Sequence, residues 1–219
     1  MFISFDVQYI YSKKKHIMKI RLLIALLIFS IPTLSFSQEE QGIKEMINTL
    51  TKNAIRDSTD KTVYHLMDEL FQGTLQSDNL NISQETIAKI DKIAKSDQAK
   101  NKHLLILFLL YQTFTEQSVR TGQSNRQIQL EILHTLSDEY SNLYNQIPVI
   151  IYIYLVESYK ANKQNEEVVK TLNVSRKLYP DAIPLKVYQY METKDETLKA
   201  DILNNHKDHW LVKQSITKN

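Results

Sequence analysis

The densest run of ligand-type side chains is His206-Lys207-Asp208-His209-Trp210. Histidines three apart on a helix share a face and can hold a metal, with Asp208 adding an oxygen. The run lacks the glutamate of an HExxH site and lies in a polar stretch, 206–219, with no apolar repeat. It therefore reads as a solvated tail, and no metal site is expected. His65, His103 and His134 stand singly and read as helix-face histidines. Asp68-Glu69, Asp138-Glu139 and Glu166-Glu167 are sequence neighbours. Neighbours on a helix point about 100° apart, so these pairs do not converge on one bond. No serine sits in a Gly-x-Ser-x-Gly elbow. The chain has no cysteine, which excludes disulfides, thiolate metal sites and a Cys nucleophile. Its three glycines, Gly42, Gly73 and Gly122, are too far apart for a phosphate-cradling loop. No catalytic set, metal or cofactor is expected.

The first 37 residues read as an address. Met18-Lys19-Ile20-Arg21 is basic, Leu22 to Leu34 is largely apolar, and Ser35-Phe36-Ser37 places small residues one apart before Gln38. That is the order of a secretory signal peptide. The apolar stretch falls short of the roughly 20 residues a membrane helix needs, so no stable span is expected after cleavage. Met18 is the expected true start. Residues 1–37 carry five bases (Lys13, Lys14, Lys15, Lys19, Arg21) and one acid (Asp6), leaving 22 bases and 24 acids in the rest of the chain. An evenly mixed, slightly acidic chain offers no basic stripe, so nucleic acid is not an expected partner. The length from Gln38 to Asn219 suits one domain, and an exported domain without cysteine suits a bacterial periplasmic or secreted protein.

The elements beyond the leader read as helices. Apolar residues recur at three and four in Ile43-Met46-Ile47-Leu50-Ala54 and in Val63-Leu66-Met67-Leu70-Phe71, with Gly73 as a stop. Thr74 to Ser83 reads as a loop, with Ser83 capping a helix through Ile87, Ile90 and Ile93. A fourth helix opens near Asp97 and carries the apolar core run Leu104–Tyr111. Ser118 to Gln123 reads as a loop, and Ser124-x-x-Gln127 as a capping box for a helix ending before Pro148. Val149–Val156 is rich in β-branched and aromatic residues, which favours strand. It is assigned as helix because no partner strand exists and Tyr152, Leu155 and Tyr159 continue one helical face. Helices over 166–179, 184–191 and 195–205 follow, then the tail. The expected class is all-α.

Residues 149–182 resemble one tetratricopeptide (TPR) repeat, a helix–turn–helix unit of about 34 residues. Tyr152, Leu155 and Tyr159 stand at the pattern positions of its first helix, and Leu172, Ser175 and Pro180 at those of its second. Val156 and Val168 depart from the small residues the family prefers. Leu104–Tyr144 reads as a longer, degenerate hairpin of the same kind. The resemblance implies antiparallel hairpins stacked as a short right-handed superhelix or irregular bundle. It also implies that the first helix of the unit lines a groove, with Ile150, Ile153, Glu157 and Lys160 facing a protein or peptide partner and Tyr152, Leu155 and Tyr159 turned into packing. Tyr154, Tyr188 and Tyr190 are left for another role. The expected function is a non-catalytic binding or scaffold module in the cell envelope. The alternative is an all-helical enzyme or small-ligand carrier with a cavity near residues 104–111. The exported protein is expected to begin at Gln38, and N-terminal sequencing that finds Met1 or Met18 intact would instead mark a membrane anchor.

Overall fold

A computed structural model of the protein describes residues 36–78 and 81–217, so residues 1–35 of the expected leader lie outside the described residues. Among the described residues the chain is all helix, with no strand. Ten α-helices succeed one another there. They are α1 (Phe36–Lys52), α2 (Thr62–Phe71), α3 (Gln84–Lys95), α4 (Lys102–Thr121), α5 (Arg126–Tyr144), α6 (Val149–Ala161), α7 (Asn165–Leu178), α8 (Ile183–Thr193), α9 (Glu196–His206) and the single turn α10 (Trp210–Val212). Short π-helical turns follow α2 at Gln72–Gln76 and α10 at Lys213–Thr217.

Local chemistry sets many of the helix ends. Ser83 accepts from the Thr86 N–H, and Asp195 accepts from the N–H groups of Thr197 and Leu198. Asn125, rather than the expected Ser124, caps α5 by accepting from the Ile128 N–H. The helix before it runs on to Thr121, so the expected loop shrinks to the residues around Gly122. Gly122 at φ 71°, Asn145 at φ 55° and Lys194 at φ 54° end α4, α5 and α8 in the left-handed conformation. Gly73 is not a stop, because the chain carries on through it in the π turn. Its glycine answers a different need: a Cβ there would lie 2.7 Å from the Asn81 carbonyl oxygen.

Three helix hairpins, α4/α5, α6/α7 and α8/α9, stack in chain order, each touching the next through α5–α6 and α7–α8. Short connections make each pair antiparallel, so α4, α6 and α8 run in one direction. Helix α2 packs on α4 and α6, and its π turn reaches α8. It thus lies across the first helices of the stack. Val149–Val156 is helical despite its β-branched residues because α2, α5 and α7 surround it, and every residue of this run except Tyr154 is buried. Val156 and Val168 are both fully buried in the α6/α7 hairpin.

A buried amide helps to hold the start of the stack. Asn101 is fully buried, with φ 56°. Its Oδ1 accepts from the Asp57 N–H at 2.9 Å, and its Nδ2 donates to the Asp57 and Asp60 carbonyls and to the Tyr144 hydroxyl. These bonds clamp the loop before α2 to the start of α4, which begins at Lys102 rather than near Asp97.

Over its described residues, 206–217, the C-terminal stretch expected to be a solvated tail at 206–219 is packed on the fold, since Leu211 and Val212 are fully buried and His209 is 2% exposed. The run lacks a helical apolar repeat because only one turn of it is α-helix, and Leu211 and Val212 both fall on that turn. Leu211→Ala is expected to cost about 3 kcal/mol by leaving a core cavity, and removal of residues 207–217 to cost more. Urea unfolding followed by circular dichroism measures both, and unchanged midpoints would return this segment to the surface.

Candidate functional site

The expected groove face of α6 divides along its length. Ile150 is 1% exposed and Ile153 0%, both in one apolar cluster with Val63, Leu66, Met67 and Leu70 of α2. The N-terminal half of the face is therefore closed to solvent, with α2 packed on α6, and Ile150 and Ile153 do not line an open groove. Val63, Leu66, Met67, Leu70 and Phe71 are each 5% exposed or less. At about 2 kcal/mol for each buried apolar side chain, their burial is worth about 10 kcal/mol. That is on the scale of the stability of a whole domain, so α2 is part of the fold and not a displaceable occupant.

Towards its C-terminus the same face turns aromatic and acidic. The Tyr154 ring of α6 lies 5.1 Å from Tyr111 and 6.2 Å from Phe108, both on α4. One turn further on, the Glu157 carboxylate accepts a hydrogen bond from the Tyr188 hydroxyl of α8. Burial pushes the Glu157 carboxyl up to about 7, and the Tyr188 hydroxyl draws it back only in part. Burial, together with the neighbouring Glu157, pushes the Tyr188 phenol well above its ordinary value, so Tyr188 stays protonated and donates. At the next rung Lys160 of α6 forms an ion pair with Glu192 of α8, both partly exposed. Of the four groove positions, then, Glu157 is a half-buried bridge between helices and Lys160 sits at the rim. Tyr188, expected to be free, is buried at 1% exposure. Tyr154 and Tyr188 are missed as a site by local periodicity. The signal for them lies in their sequence separation, which equals the length of the unit that residues 149–182 resemble.

A second charged cluster joins the other end of the stack. The Arg56 guanidinium grips Glu139 with both Nε and Nη2, at 2.9 and 2.7 Å. The His103 Nε2 is 2.9 Å from the same carboxylate. Burial raises the Glu139 carboxyl, but the hydrogen bonds from Arg56 and His103 outweigh it and hold it low. Burial lowers His103 more than Glu139 raises it, so the ring is neutral at pH 7 and donates from Nε2. Arg56 is the counter-charge, and the group fastens the loop before α2 to α4 and α5.

The other histidines find separate partners. The His209 Nε2 donates to the Leu75 carbonyl at 3.0 Å, and its Nδ1 accepts from the Leu211 N–H, tying α10 to the π turn after α2. His206 instead lies 3.5 Å from the Lys186 ammonium, which pairs with Asp201. The two side chains thus turn to different neighbours, and among the described residues no three His, Asp or Glu side chains gather as a metal set. His134 meets the Tyr159 hydroxyl at 2.8 Å where α5 packs on α6. Leu104, Leu105 and Leu107 are fully buried core side chains. No family model matches the chain, and no curated protein or solved structure matches it.

Proposed function

We propose that this chain is an exported bacterial binding or scaffold module without catalytic activity, built of TPR-like hairpins and acting on a protein or peptide of the cell envelope. One observation carries the reading: the inward ionisable groups His103, Glu139, Glu157 and His209 each join two separate elements of the fold. Their chemistry is committed to architecture, which leaves the surface of the stack as the working part. The repeat resemblance adds to this, since α6 and α8 begin at Val149 and Ile183, one repeat length apart. The signal-peptide order of residues 18–37 supports export.

The partner-binding face lies at the uncovered end of the first helices, around Tyr154, Lys160 and Glu192. Exchanging the ion pair, Lys160→Glu with Glu192→Lys, keeps the bridge while reversing the charges offered to a partner. The mature chain used as bait on an envelope fraction is expected to capture a partner that the exchanged variant loses, with both proteins equally folded by circular dichroism. Equal capture by both would remove this face. Ile153→Asp buries a charge in the α2–α6 contact and is expected to unfold the protein, which thermal denaturation reads directly.

A further inference from the structure

The Glu157 carboxylate spans the seam between the second and third hairpins. Among the described residues its hydrogen-bond donor is the hydroxyl of Tyr188, a side chain 1% exposed. Close to the Tyr188 hydroxyl stand Tyr154 of α6 and Tyr111 of α4, whose rings meet each other, and one rung away Lys160 is already paired with Glu192. Helices α2, α5 and α7 also pack on α6, yet among the described residues no charge from them acts on the carboxyl: burial and the Tyr188 hydroxyl set its state. A carboxyl so placed is well accommodated as a neutral acid. As an anion it is steadied by that hydroxyl in a half-buried seam, with no described cation in contact.

We propose that Glu157 and Tyr188 form a pH-sensitive latch that docks the third hairpin, α8/α9, on α6 in acid and slackens it as the solution turns alkaline. The sign follows from burial. The carboxyl titrates higher in the folded protein than in the unfolded chain, so its contribution to stability is complete below the ordinary glutamate range and is lost as pH rises through about 7. The histidines act in the opposite sense. Burial lowers His103, His206 and His209, so their contributions are complete above the ordinary histidine value and are lost as pH falls. A comparison with a variant altered only at Glu157 cancels the histidine part.

Amide hydrogen exchange of residues 183–206, corrected for intrinsic rates, separates the possibilities. Between pH 5.5 and 8.5 the protection of the wild type relative to Glu157→Gln is expected to fall at least about tenfold, since each unit of pKa shift is a tenfold change in the folding equilibrium. Tyr188→Phe removes the donor that steadies the anion and is expected to move the midpoint of the profile to higher pH, a displacement that loss of packing alone does not produce. A ratio that stays constant with pH overturns the latch. So does a midpoint that Tyr188→Phe leaves in place while the variant remains folded.

Discussion

The structure depends on one burial: the apolar face of α2 laid across the first helices of the three hairpins. A stack of hairpins leaves the face formed by its first helices open, and here that face begins with Ile150 and Ile153, residues that water does not favour. Helix α2 brings Val63, Leu66, Met67, Leu70 and Phe71 to it. The demand propagates. The π turn after α2 must pass close under the chain at Asn81, which requires Gly73. The turn also presents the Leu75 carbonyl to His209, so the last segment of the chain closes against the second helix of the fold. An N-terminal element thus fixes the position of the C-terminal one, through a bond that joins distant parts of the sequence.

Polar groups in this protein settle where separate segments have to be held in register. Asn101 satisfies carbonyls and an N–H of the loop before α2, and the Tyr144 hydroxyl of α5 shares the Asp60 carbonyl with it. Arg56 and Glu139 meet from opposite sides of that junction, and His103 adds its ring to the same carboxylate. Leaving one such partner buried and unmatched costs about 1–3 kcal/mol, more than the bond itself contributes, so these residues specify the arrangement more than they stabilise it.

What the sequence made legible was the set of elements. The three- and four-residue spacing of Val63 to Phe71 and the Ser83 cap lead directly to α2 and α3, and the Pro148 boundary to α6. The hairpin over 149–182 is also readable, because its turn and its buried Leu172 and Ser175 follow a recognisable spacing. The contents of the groove are not readable from that unit alone. The resemblance to a repeat gives an expected direction for Ile150 and Ile153, and it is silent on whether another helix of the same chain lies there. The C-terminal segment misleads for a related reason. Its burial rests on Leu211 and Val212 in a single turn, too short for any periodicity, and His209 looks like a ligand because its real acceptor is a backbone carbonyl.

The division of the groove has a physical logic of its own. Where α2 covers the first helices, the facing residues can be wholly apolar, and Ile150 and Ile153 are. Beyond the reach of α2 the same rows need side chains that tolerate both packing and water, and tyrosine combines an apolar ring with a polar tip. Tyr154 and Tyr111 fill that zone, with their rings in contact. Between the apolar half and the solvated rim at Lys160 lies a single turn of α6, and Glu157 sits in it. Its side chain is half-buried, too enclosed to be fully hydrated and too near the rim to be replaced by an isoleucine without extending the apolar face to solvent. A protonatable group bonded to a tyrosine is a physical compromise for that depth, and enclosure there pushes its carboxyl up to about 7.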